Sequence, residues 1–183
     1  MGTAGHGPGA NDFYLYYFIL TGLHLFHVCL GLGALFVVDG EVTVTIAGKA
    51  HRLTSGGFAY IPAGTKWTLK NSGKAHARFH WIRKAYEAVE GLPAPEPVIA
   101  NENDLTPNAM PGADGRWATT RFLDPADMRF DFHVNIVTFE PGAVIPFAET
   151  HIMEHGLYVL EGKGATDHGQ GPWTENVVSK ART

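Results

Sequence analysis

The run EVTVTIAGKAHRLTSGGFAYIPAGTKW, Glu41–Trp67, decides the fold. Val42, Val44 and Ile46 alternate with Glu41, Thr43 and Thr45, the period of two that places apolar side chains on one face of a half-buried strand. Ala47-Gly48-Lys49 supplies a turn, His51-Arg52-Leu53 opens a second strand, and Gly56 to Trp67 reads as turn, strand, turn. Short antiparallel strands joined by glycine-rich turns predict a mainly β fold of sandwich or barrel type. The 22 Gly and 11 Pro of the chain suit that many turns.

Downstream, LPAPEPVIANENDLTPNAMPGADGR carries five prolines and reads as a connector lying over the surface. After it, DFHVNIVTFEPG and HGLYVLEGKG return to strands with glycine-rich turns, and the second ending echoes the earlier VDGEV, so an internal duplication is expected. The division is residues 1–34 as an apolar segment, 35–90 as a first β module, 91–130 as the connector, 131–164 as a second module and 165–183 as an unassigned tail.

Upstream, Phe13 to Val38 hold twenty-six residues without a charge. As a helix rising about 1.5 Å per residue, that length crosses a hydrocarbon core of roughly 30 Å, so a transmembrane helix is expected and a membrane partner is open through residues 13–38. Aromatics crowd its first turns and Lys49 and Arg52 follow it, which by the positive-inside rule leaves the β part cytoplasmic. The basic start and small-residue cleavage site of a leader peptide are missing. His24 and His27 share a helix face, an arrangement that suits polar packing better than metal binding.

Chemistry concentrates in the second module. Gly142, Glu149, His151, His155 and Gly162 stand in a G-x6-E-x-H-x3-H-x6-G frame. Residues two apart on a strand share a face, so Glu149 and His151 project together, and His155 follows from a turn. One carboxylate and two imidazoles are hard-to-borderline donors that favour Mn, Fe, Ni or Zn. Glu154 is a nearby carboxylate able to act as an acid or base, or to point away from the metal face. In the first module Gly56, Pro62, Gly64, Trp67 and Asn71 stand in a G-x5-P-x-G-x2-W-x3-N frame.

Both frames resemble the paired motifs of cupin barrels. The strings HARFHWIRKAYEAVEGLPAPEP, GRWATTRFLDP and above all HVNIVTFEPGAVIPFAETHIMEHGLYVLEGKG resemble the (S)-ureidoglycine aminohydrolase family over about residues 35–164. The resemblance implies a bicupin (double-stranded β-helix or jelly-roll) that hydrolyses (S)-ureidoglycine to (S)-ureidoglycolate and ammonia. It implies Mn²⁺ as the cofactor, with Glu149, His151 and His155 as three of four ligands, the fourth a glutamine for which Gln170 offers no aligned frame. Family members are homo-oligomers with a small-molecule ureide substrate. In the first module Trp67 stands where a cupin has its histidine ligand and Gly33 where it has its acidic one, so that module is expected to be metal-free. His51, His76 and His80 are expected to pack or hydrogen-bond. Both barrels read as incomplete, and the chain alone is expected to be a poor enzyme.

YYFILTGLHLFHVCLGLG, within residues 11–36, also resembles one helix of haem-copper oxidase subunit III. That segment is either a membrane anchor or foreign to the domain it precedes. The competing functions are therefore a non-catalytic small-molecule-binding cupin and a membrane-anchored fragment of the oxidase type. A net charge of -4, with fourteen Lys and Arg scattered along the chain, excludes a nucleic-acid partner. Cys29, the one cysteine, permits no internal disulfide, in keeping with a cytoplasmic location.

Overall fold

The computed structural model describes residues 31–112, 114–146 and 156–162. The chain divides into two compact units, residues 1–145 and 146–183. In chain order the strands of the first unit are β1 (Gly31–Asp39), β2 (Glu41–Ile46), β3 (Lys49–Thr54), β4 (Gly57–Ile61), β5 (Trp67–Asn71), β6 (Arg78–Ala85), β7 (Val98–Asn101), β8 (Asn108–Ala109), β9 (Trp117–Arg121) and β10 (Asn135–Phe139). Three antiparallel sheets result, in the orders β6-β1-β4-β7, β3-β2-β5 and β10-β9-β8.

The alternation in Glu41–Ile46 forms β2 as expected, with Val42, Val44 and Ile46 buried and their neighbours partly exposed. Its hairpin to β3 turns on Ala47 and Gly48, both at positive φ (49° and 84°). A two-residue turn with both residues left-handed matches the twist of the flanking strands. Leu35, Val37, Ala59 and Ile61 of the first sheet pack against Val42, Val44, Ile46 and Leu53 of the second, and these eight form the core of the first module.

The apolar run upstream departs from its reading. Residues 31–38 are strand, not helix, hydrogen-bonded to β4 on one side and β6 on the other. The rest of the expected transmembrane and oxidase-like segment, with His24, His27 and Cys29, lies outside the described residues. Among the described residues no helix is long and apolar enough to cross a membrane. The physical reason for the misreading is that β1 is buried on both faces. Leu35 and Val37 enter the core. On the opposite face Phe36 and Phe58 meet Phe122, at ring separations of 5.8 and 4.5 Å, and Tyr60 meets Phe130 edge-on at 5.1 Å. A strand covered on both sides has no polar alternation and looks like a membrane span.

Two further expectations are corrected. Within the connector, Val98–Asn101 is β7, paired with β4, because two β-branched residues follow the proline cluster. Asn101 then secures the chain, its side-chain amide donating to Ser55 O at 3.3 Å and its Oδ1 accepting from Asn103 N at 2.9 Å. In the second unit the described residues 156–162, read above as strand, carry none.

Tyr60 supplies a test of this packing. It is fully buried, and its hydroxyl has no hydrogen-bond partner among the described residues. Burial, and then the Asp131 carboxylate and Tyr86, push its pKa well above the ordinary phenol value. Removing an unsatisfied buried hydroxyl restores no lost bond, so Tyr60→Phe should leave stability unchanged or raise it by up to ~2 kcal/mol near neutral pH. Because its folded-state pKa is raised, the phenol stays protonated in the folded protein while the unfolded chain ionises, so stability falls as pH climbs beyond the unfolded value of 10.0. Urea melts at neutral and strongly alkaline pH should therefore show the wild type losing stability faster than the variant above about pH 10.

Candidate functional site

Glu149, His151, Glu154 and His155 lie outside the described residues. The structure does describe the two glycines that frame them. β10 runs into Glu140-Pro141-Gly142-Ala143, where Ala143 N donates to Glu140 O at 2.9 Å. Gly142 has φ +73°, and proline second with a left-handed glycine third is the type II arrangement. Arg116 fastens this turn, its Nη2 donating to Pro141 O at 2.8 Å and its carbonyl accepting from Glu140 N at 2.8 Å. Gly162, the closing glycine, also has a positive φ, 85°. Both framing positions thus require a conformation that suits glycine.

The first module's frame is described throughout. Pro62 O accepts from Thr65 N at 3.2 Å, closing a turn whose third residue, Gly64, has φ +74°. Asn71 ends β5, its Oδ1 accepting from Gly73 N at 2.9 Å and its side-chain nitrogen donating to Ala75 O at 2.8 Å. Trp67 begins β5, and its ring lies 4.6 Å from that of Trp81 on β6. Trp81 in turn covers Gly33, where a Cβ would fall 2.6 Å from Trp81 Cη2. The positions expected to carry an acidic and a histidine ligand, Gly33 and Trp67, are therefore brought together by a third residue that fills the space with an indole. Sequence reasoning missed Trp81. The available signal was a glycine inside a strand, which marks close approach of another group.

The three histidines of this module do not converge. His51 faces the core side of β3 opposite Val44, and His76 lies exposed before β6. His80 is opposite Phe36 on the other face of the first sheet, where burial holds its imidazole below the usual value. Among the described residues no three His, Cys, Asp or Glu side chains gather to hold a metal ion.

A polar cluster ties residues 127–132 to the edge of that sheet. Lys84 Nζ donates to Asp131 Oδ2 at 3.0 Å and to Asp131 O at 3.1 Å, and Glu87 N donates to the same carboxylate at 2.8 Å. Tyr86 donates to Arg129 O at 3.3 Å. The Arg129 guanidinium forks onto Asp127 at 2.9 and 2.6 Å and holds that carboxyl below the usual range. These contacts position residues 122–132, an aromatic strap carrying Phe122, Phe130 and Phe132, over β1 and β4.

Residues 31–83 match the family model of the cupin domain. Over 132 residues the chain is 34% identical to the (S)-ureidoglycine aminohydrolase of Escherichia coli (strain K12), which covers 71% of this chain and 49% of that protein. With the (S)-ureidoglycine aminohydrolase of Arabidopsis thaliana it shares 30% over 131 residues, 71% of this chain and 42% of the relative. A crystal structure from Pseudomonas aeruginosa, bearing the name glyoxylate induced protein, superposes with a TM-score of 0.70 at 56% identity, covering 74% of this chain and 51% of that one. The chain spans about half the length or less of these curated relatives.

The seating of Trp81 on Gly33 is testable by denaturant melts. Gly33→Ala forces a methyl against the indole and should cost about 1–3 kcal/mol. In Trp81→Ala the same glycine substitution should cost less, by at least ~0.5 kcal/mol in a double-mutant cycle. Strict additivity would mean that the ring does not occupy that notch.

Proposed function

We propose that this protein is a metal-dependent hydrolase of the (S)-ureidoglycine aminohydrolase type, releasing ammonia from (S)-ureidoglycine to give (S)-ureidoglycolate. The single observation that supports the reading most is the Gly142-to-Gly162 frame, with its carboxylate and two imidazoles, in a chain similar to enzymes of that name at 30–34% identity over 71% of its length. In this reading the first cupin module, residues 35–90, is joined by residues 91–130 to a second, residues 131–164, and the pair forms a bicupin.

Glu149, His151 and His155 would hold a divalent ion, with Mn²⁺ as the proposed one. Their oxygen and nitrogen donors fit a hard-to-borderline divalent metal. When bound, such an ion supplies a Lewis acid for the substrate's oxygens and lowers the pKa of water. The reaction forms one C–O bond to water and breaks one C–N bond at the same carbon, so a proton must leave the water and another must reach the departing amine. Glu154, one residue from His155, is the group assigned to that transfer. The type II turn at Gly142, the first glycine of the frame, is fastened by Arg116 at the end of β10.

Two sets of variants separate the roles. Alanine at Glu149, His151 or His155 should abolish stoichiometric Mn²⁺ in metal analysis and lower ammonia release about 100-fold or more. Glu154→Gln should keep the metal and lower kcat by roughly 10²-fold. A purified, Mn²⁺-loaded protein that binds metal but yields no ammonia from ureidoglycine above background would replace the enzyme reading with that of a binding cupin.

A further inference from the structure

The even scatter of Lys and Arg expected from the sequence does not hold within the first module. Between Val42 and Tyr86 stand eight Lys and Arg and no Asp or Glu. Three of the eight are paired with carboxylates outside that stretch: Arg52 with Glu41, Arg78 with Asp39, and Lys84 with Asp131. Lys49, Lys66, Lys70, Lys74 and Arg83 have no ion-pair partner among the described residues.

Strand register places two of these five at one end of the core. On the second sheet Ile46 is opposite Lys49 on one side and Trp67 on the other. On the first sheet Gly33 is opposite Arg83 on one side and Ile61 on the other. Directly opposite residues project to the same face of a sheet, and Ile46 and Ile61 are both buried there, so Lys49 and Arg83 belong to the core-side face. The Trp81 ring over Gly33, in contact with Trp67, joins the two rows. The composite is an indole pair, with Trp67 39% exposed, sharing its face with Arg83, two residues along β6 from Trp81, and with Lys49, across Ile46 from Trp67. It lies at the place where Gly33 and Trp67 leave the first module without the donors expected there.

We propose that this end of the first module binds a small organic carboxylate with a flat apolar body. An exposed indole offers a stacking face, a guanidinium presents a fork matched to a carboxylate, and the ammonium adds a second charge. No side-chain carboxylate in residues 42–86 competes for either cation. The proposal concerns the first module alone, and its outcome is independent of metal binding or ammonia release by the second.

The experiment uses the full chain and three probes, benzoate, its neutral isostere benzamide, and acetate, titrated by calorimetry and by the indole N–H signals in ¹H–¹⁵N spectra. Benzoate should saturate and move the Trp67 signal, assigned with Trp67→Phe, while benzamide and acetate should bind about tenfold more weakly or worse. Arg83→Gln and Lys49→Gln should each weaken benzoate about fivefold or more, with unchanged thermal melts, and Lys74→Gln should have no effect. Benzamide binding as tightly as benzoate, an effect of Lys74→Gln equal to that of Arg83→Gln, or an unmoved Trp67 signal at saturation would overturn the proposal.

Discussion

Burial of β1 on both faces is the constraint from which the rest of the described structure follows. Leu35 and Val37 enter the core between the two sheets, while Ala34 and Phe36 face the strap that carries Phe122, Phe130 and Phe132. Full burial of a Leu, Val or Phe side chain is favourable by about 1.5–3 kcal/mol. A strand that makes such contacts on both sides, with backbone pairs to β4 and β6, holds two layers at once. The strap stays where it is through Lys84 and Asp131, whose geometry also brings Glu87 N onto the same carboxylate. Such a cluster is half exposed at Lys84, so its value lies in fixing position more than in stability.

The same constraint decides what was legible in the sequence. Where a strand has one dry face, as β2 does, alternation and the Ala47-Gly48 turn announce it, and β2 to β4 follow the reading closely. Where both faces are dry, periodicity vanishes and length takes over, so residues 31–38 read as the end of a membrane helix. β7 was hidden for a different reason: a strand of four residues directly after Pro97 is too short to carry a pattern, and only the open edge of β4 recruits it. The Gly142-to-Gly162 frame was legible as spacing alone. Spacing states which side chains share a strand face, and it is silent on whether a strand forms, as residues 156–162 illustrate.

Trp81 shows how the first module packs around a glycine inside a strand. A charged or imidazole side chain at the Gly33 position would need partners to offset its desolvation in an apolar interior. Glycine removes that demand but leaves a notch, and an unfilled notch forfeits packing. The indole resolves both, because it is large, has one polar atom, and reaches from β6 across β1 to Trp67 on the facing sheet. The pair therefore couples the two sheets at the end where the eight-residue core leaves off, a mechanical role that Leu or Val at residue 81 could not span.

Charge distribution then gives that end its character. Residues 42–86 have eight cations and no anions, within a chain whose net charge is -4. An excess of one sign on a packed β module is self-repelling, and the fold relieves it by recruiting Asp39, Glu41 and Asp131 from outside the stretch. Each recruit lies beside an edge or a turn: Asp39 and Glu41 flank the β1–β2 connection, and Asp131 rides on the strap. None reaches the Trp67 end of the core, where Lys49 and Arg83 follow from the register of β2–β3 and β1–β6. Lys49 and Arg83 therefore share the face that carries the exposed indole, while the ion pairs of the module stand at its connections and at the strap.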